Sequence, residues 1–333
     1  MENNTKIQSK GIFESQNALH SKKSVRDAFG KALVELGKQN KNIVAFSADL
    51  AGSVRTNWFA KEFPDRHFEV GISEQNMMGV ASGLAACGKI PFVGSFAVFN
   101  PGRNLDQLRA SVCYSNMNVK IIGAHAGITV GEDGATHQAL EDIAITRSLP
   151  NLTVIVPSDY NEMYKATIAS AKHKGPVYIR SGRPKVEQLP ESDFVIGKAN
   201  ILQKGSDITI IACGIMVQES LKAANELKKQ GISARVINMH TIKPIDKEII
   251  INAAKETKGI ITVEEHQIHG GLGSAVAEVV VENHPIPMKI IGVKDTFGES
   301  GSGPELLEKY GLTSKQIIKE AIKSRMIADV PIW

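Results

Sequence analysis

Cysteine is scarce in this sequence: three residues among 333, Cys87, Cys113 and Cys213, far apart and set among apolar neighbours. An odd, dispersed set of this kind excludes a disulfide framework and a zinc cluster, and reads as reduced core thiols in a reducing compartment. Aromatic residues make up 5% of the chain and no basic stripe interleaves with them, so the footprint of a nucleic-acid binder is missing. The net charge of +4 is small for this length and at most favours anionic small molecules. No apolar run reaches the roughly 20 residues that cross a bilayer. The opening MENNTKIQSKGIFESQNALHSKKS has no apolar core of the kind a signal peptide needs. Neither GxGxxG nor a GK[ST] ending occurs, so a dinucleotide fingerprint and a P-loop are both unsupported. A cytoplasmic enzyme or enzyme subunit is the expectation.

What is present is the composition of a globular protein, 42% hydrophobic and 22% charged, long enough for two domains with real cores. Residues 1–21 read as a polar arm. From residue 22 to 184, short apolar strands such as IVAFSAD, IPFVGSFA, VKIIGAHA and PVYIRS alternate with helical segments. That pattern predicts a mainly parallel sheet covered on both faces. Residues 185–200 are polar, carry Pro190 and lack a helical period, which predicts a linker. A second alternation over 201–333 (DITIIACG, SARVINMH, GIITVEEH, PMKIIGVK) completes an α/β fold class of two tandem α/β domains.

The stretch FEVGISEQNMMGVASGLAACG organises the first half. A strand ends at Gly71, and a helix begins at Ser73 with Met77, Val80, Ala81 and Leu84 on one apolar face. Small residues fill the remaining positions, so the helix reads as buried with something packed close. Glu74 in its first turn is either a helix-dipole partner or a proton-handling group. In a parallel sheet ligands sit at the C-terminal strand ends, where Asp49, Ser53, Glu74, Phe96, Phe99, His125, Arg180 and Arg183 gather. Phe96 and Phe99 suit either a core or a stacking surface. Arg26, Arg180 and Arg183 suit either a phosphate or solvent. The loop GITVGEDGATHQ offers Asp133 and His137 beside backbone that can approach a ligand closely. His266 and His269 lack clustered co-ligands and read as polar loop histidines before a helix.

Taken together and in order, SADLAGS, VGISEQ, GSFAVF, AHAGITVGEDGATHQ, RSLPN and PVYIRSGR resemble the pyrimidine-binding domain of thiamine-diphosphate enzymes of the transketolase family. HTIKPID, VEEHQIHGGLGSAVAE and DTFGESG resemble that family's C-terminal domain. The resemblance runs from about Ser24 to the end. It implies that Glu74 hydrogen-bonds the aminopyrimidine nitrogen of the cofactor, with Phe99 stacking on the ring, Phe96 beside it, and Asp49 and Leu50 near the cofactor. It further implies that His125, Asp133 and His137 contact the donor sugar and assist its proton transfers, and that Arg26, Ser53 and Arg183 meet the phosphate end. The family's GDG motif, which holds the diphosphate and a divalent metal such as magnesium, does not occur. The resemblance therefore implies a split transketolase, with metal ligands on a GDG-bearing partner chain, self-association across a dimer interface, and a heterotetramer as the working form. Transfer of a two-carbon ketol unit from a ketose phosphate to an aldose phosphate is the implied reaction. Alternatives are a beta-type subunit of a deoxyxylulose-phosphate synthase-like enzyme or a 2-oxo-acid dehydrogenase decarboxylase, or a non-catalytic half-enzyme that binds a partner. His125 and the GED-G-x-THQ loop favour transketolase.

Overall fold

Wholly buried runs of mainly β-branched and small apolar residues form the central strands, as expected for a sheet shielded on both faces. The computed structural model describes residues 21–328, with side chains to Lys323. Apart from Ser21, the expected arm at 1–21 lies outside the described residues. In the first half the strands are β1 (Lys23–Ser24), β2 (Ile43–Ser47), β3 (His67–Glu69), β4 (Ile90–Phe96), β5 (Lys120–Ala124), β6 (Thr153–Ile155), β7 (Val177–Arg180) and β8 (Lys185–Val186). The second half adds β9 (Asn200–Gln203), β10 (Ile208–Ala212), β11 (Ala234–Asn238), β12 (Thr241–Lys243), β13 (Ile260–Gln267) and β14 (Met288–Val293).

The larger sheet has the order β12-β6-β7-β5-β4-β2-β3, and the smaller β14-β13-β10-β11-β9. Every pairing in the larger sheet is parallel except β12 on β6. In the smaller sheet only β9 runs antiparallel. Helices Val25–Gln39 and Tyr160–Lys172 pack together on one face of the larger sheet, and helix Glu74–Ala86 lies on the other. Asp159 caps the second of these by accepting from the Glu162 N–H at 2.8 Å, and Asp246 caps helix Lys247–Glu256. The chain ends in helices Gly303–Lys309 and Ser314–Ala328.

Four details differ from the sequence reading. Segment 185–200 begins as structure, since Lys185 and Val186 pair antiparallel with Ser24 and Lys23. β12, from the second half, closes the edge of the first-half sheet, because the buried Thr241 and Ile242 complete the hydrophobic cover there. Helix Glu74–Ala86 is only half-buried: Glu74, Met77, Met78, Ala81 and Ser82 face inward, while Val80 is 42% exposed. Among the described residues nothing lies within 4 Å of a Cβ built on Gly79 or Gly83, so these small residues face outward. Cys87 at the end of that helix is likewise exposed, leaving two buried thiols rather than three.

Candidate functional site

Because β2, β3, β4, β5 and β7 are mutually parallel, their C-terminal ends lie along one edge of the sheet, and the loops leaving them carry the candidate residues. From β3 the chain turns at Gly71, with Ser73 N–H donating to the Gly71 carbonyl at 2.7 Å. Glu74 is therefore delivered as the first residue of its helix, only 3% exposed. A carboxylate this deep needs a counter-charge. Arg103 supplies it, its Nη1 donating to Oε1 at 3.1 Å and Oε2 at 3.3 Å. The same guanidinium lies over the Phe99 ring, 4.1 Å from its centroid. Asn104 Nδ2 donates to the Glu74 carbonyl at 3.3 Å and to Asn100 Oδ1 at 3.0 Å, tying the turn after β4 to the start of the Glu74 helix.

Phe96 and Phe99 stack at 6.1 Å with planes 13° apart, and the Phe96 ring lies 4.0 Å from the His125 ring. His137 stands edge-on to both, 5.5 Å from Phe99 and 6.4 Å from Phe96. His125 leaves β5 with φ of 54°, an αL conformation that costs free energy in a non-glycine residue and turns the ring back over the site. Arg26 Nη1 sits 3.3 Å from His125 Nε2. Since a guanidinium only donates, Nε2 accepts and the proton is on Nδ1, which is buried with no partner among the described residues. Burial, reinforced by Arg26, Arg183 and Arg55, pushes the His125 pKa down to about 3. The ring is neutral in any ordinary buffer.

The three guanidiniums converge on one place. Arg26 also donates to the Ser53 carbonyl at 2.8 Å, and its Nε is buried without a partner among the described residues. Burial and the neighbouring Arg55 lower its pKa. Arg55 pairs with Asp27 at 2.7 Å. Arg183 is half-exposed, donates to the Val130 carbonyl and pairs with Glu132 at 3.0 Å and Asp133 at 3.8 Å. Arg180 is different: it is 4% exposed, with Nε on Asp142 at 2.8 Å and Nη2 on the Glu265 carbonyl at 2.8 Å. Its donors serve the seam between the two halves. Asp49 is exposed, its N–H on Glu69 Oε1 at 2.7 Å, and Leu50 precedes the short helix that holds Ser53. Among the described residues, neither Asp49 nor Leu50 is hydrogen-bonded to the cluster.

Two residues that carry the site went unread in the sequence. Arg103 follows Phe99 by one helical turn, a spacing that could have flagged a cation over that ring. Glu265 comes from the second half: its Oε1 accepts the Thr129 N–H at 2.6 Å, so it clamps the loop that holds Asp133 and His137. It also fills the space beside Gly127, where a Cβ would lie 2.2 Å from the Glu265 carboxyl carbon. His266 is no loop histidine. It is a fully buried residue of β13 that donates to the Gln267 carbonyl at 2.8 Å and accepts from Ala144 N–H at 3.3 Å. His269 is exposed.

A flat cationic or N–H-bearing ring fits the Glu74–Phe99 corner, as the guanidinium already there demonstrates, and the orphaned Arg26 Nε and His125 Nδ1 suit an anionic, hydroxylated ligand beside it. Among the described residues no three His, Cys, Asp or Glu side chains gather to hold a metal ion. No described helix is long and apolar enough to cross a membrane.

Comparison with known proteins bears on the same residues. The pattern of the transketolase pyrimidine binding domain matches residues 21–188, and that of the transketolase C-terminal domain matches 197–317. The chain is 49% identical to a putative transketolase C-terminal section from Methanocaldococcus jannaschii, over 90% of this chain and 96% of that protein. It is 45% identical to a 6-deoxy-6-sulfo-D-fructose transketolase subunit from Clostridium sp. (strain MSTE9), over 89% of this chain and 93% of that one. A solved structure described as a split gene transketolase, inactive beta4 tetramer, superposes with a TM-score of 0.86 at 48% identity, covering 92% of this chain and 99% of the other.

Proposed function

The chain belongs to the transketolase family, whose members depend on thiamine diphosphate, and on that premise we propose that it is the C-terminal section of a split transketolase. It moves a two-carbon ketol unit from a ketose phosphate to an aldose phosphate, and it does so only with a partner chain that carries the GDG motif and the divalent-metal ligands. The observation that carries this reading is the unbroken line of contacts from Glu74 through Arg103, Phe99, Phe96 and His125 to Arg26. It sets an acid-lined aromatic corner beside a group of arginines. The inactive all-beta tetramer recorded for a similar protein agrees with partner dependence. A cytoplasmic setting goes with it.

When bound, thiamine diphosphate supplies a carbon nucleophile that can hold the electron pair of the transferred unit. The protein's own part follows from its groups. Glu74 offers a carboxyl oxygen to the ring nitrogen of the pyrimidine, and Phe99 gives that ring a face, with Phe96 behind. His125, held neutral, presents Nδ1–H to a hydroxyl or carbonyl oxygen of the donor, with His137 and Asp133 on the other side to bind hydroxyls and move protons. Arg26 and Arg183, with Ser53, hold the terminal phosphate through forked donors. Asp49 and Leu50 would lie near the cofactor, Asp49 reaching it across the dimer interface. The test is to assay the chain alone and with a GDG-bearing partner, using xylulose and ribose phosphates, thiamine diphosphate and magnesium. Turnover by the mixture only is expected; full turnover by this chain alone overturns the split-subunit reading.

A further inference from the structure

Glu74 and the face of Phe99 are the two contacts that the pyrimidine ring of the cofactor needs under the proposed function, and both are taken by one side chain. The Arg103 guanidinium donates to both Glu74 oxygens and lies over Phe99, its central carbon 4.1 Å from the ring centroid. We propose that Arg103 is the chain's own stand-in for that ring, so that cofactor binding is an exchange at this corner rather than the filling of an open slot.

The chemistry of the two occupants is alike. A guanidinium is planar, carries N–H donors along one edge and stacks on aromatic faces; an aminopyrimidine ring engaged by a carboxyl group does the same. One carboxylate edge and one phenyl face cannot serve both. Mobility decides which partner yields. The Glu74 side chain is 2% exposed, whereas that of Arg103 is 49% exposed. Asn104 holds the Glu74 backbone, and Asn104 is itself bonded to Asn100, whose Nδ2 reaches the Val93 and Ile122 carbonyls at 3.3 Å. Arg103 lies between these two anchored asparagines on the turn between β4 and helix Leu105–Gln107, where its half-exposed side chain can swing to solvent without moving the core. The device keeps a deeply buried carboxylate partnered until the cofactor arrives, and it sets a threshold on cofactor affinity.

The inference rests on the cofactor reading above, and its test separates the two. Thiamine diphosphate is titrated calorimetrically, at fixed magnesium, into the assembled two-chain enzyme carrying wild-type chain, Arg103→Met or Arg103→Lys. The methionine variant should bind roughly tenfold more tightly, the exchange of one half-exposed ion pair and its stacking contact. The lysine variant, which keeps the charge but not the flat fork, should fall between. In Arg103→Ala, added ethylguanidinium should compete with thiamine diphosphate, and in the wild type it should not. Without cofactor, the melting temperature of the methionine variant should drop, because Glu74 loses its counter-charge, and saturating cofactor should recover more of it than in the wild type. Should the methionine variant fail to fold, the lysine variant carries the same comparison. Equal or weaker binding by the folded variants overturns the stand-in role alone. Binding by no form, wild type included, overturns the cofactor reading and this proposal together.

Discussion

His125 shows what a single residue contributes. Its ring is buried against Phe96, accepts from Arg26 and stays neutral because burial, with three arginines nearby, disfavours a charge on it. A neutral imidazole positions and relays; it cannot be the charged acid of the site. The folded pKa of about 3 lies below the ordinary value of 6.5, so as pH falls through 6.5 the unfolded chain takes up a proton that the folded chain refuses. Stability is therefore full above pH 6.5 and is lost towards pH 3. At pH 5.5 this one group should cost about 1.4 kcal/mol relative to pH 8. Urea unfolding of wild type and His125→Gln at the two pH values should show that difference in the wild type and its loss in the variant; identical pH slopes would contradict it. Glu74 is a different case. Glu74→Gln should leave the circular dichroism spectrum unchanged while turnover of the assembled enzyme falls by about two to four decades, and a variant near wild-type turnover would remove Glu74 from the mechanism.

At the scale of elements, the loop between β5 and helix Asp142–Ser148 is held from outside its own domain. Glu265 accepts the Thr129 N–H, and Gln138 Nε2 donates to the Glu299 carbonyl at 2.9 Å. Glu265→Ala leaves the Thr129 amide buried and unpaired, a loss of about 1–3 kcal/mol. Glu265→Gln keeps an acceptor and should recover most of it. Hydrogen exchange at the Thr129 amide should quicken in the alanine variant and much less in the glutamine variant; an unchanged rate in both would show that the clamp is idle. The strands themselves were legible in the sequence because a buried parallel strand is a short apolar run with turn residues at its ends. The exposure of Val80, Gly79 and Gly83 was not legible. Period and residue size identify an apolar helix face, but not whether the same chain supplies the surface that covers it. The motifs likewise named Glu74, Phe99 and His125 without their pairings, since Arg103 meets Glu74 across 29 residues of sequence.

Across the whole molecule the two halves are stitched rather than merely joined. β12 crosses into the first-half sheet, a three-residue antiparallel strand too short to announce itself by pattern. Glu162 of the first half accepts Asn238 Nδ2 of the second at 2.8 Å. At the centre of the seam Arg180 binds Asp142, which also accepts the Tyr178 hydroxyl at 2.7 Å, and reaches the Glu265 carbonyl. This arrangement separates two arginines that residue type alone leaves as equals and that only the family resemblance ranks, in favour of Arg183. Arg180→Met strands a carboxylate that is 1% exposed, and breaking a buried pair in this way costs about 3–5 kcal/mol. Arg183→Met removes a half-exposed side chain whose ion pairs lie at the surface, worth about 0–1 kcal/mol to stability. Calorimetry should therefore record one cooperative transition in the wild type, a large fall in its midpoint for Arg180→Met, and almost none for Arg183→Met. Kinetics of the assembled enzyme should reverse the ranking, with Arg183→Met raising KM for the sugar phosphate while leaving the affinity for thiamine diphosphate in place. Two resolved transitions in the wild type would show that the seam does not couple the halves, and a phosphate KM that ignores Arg183 would take that residue out of the anion site.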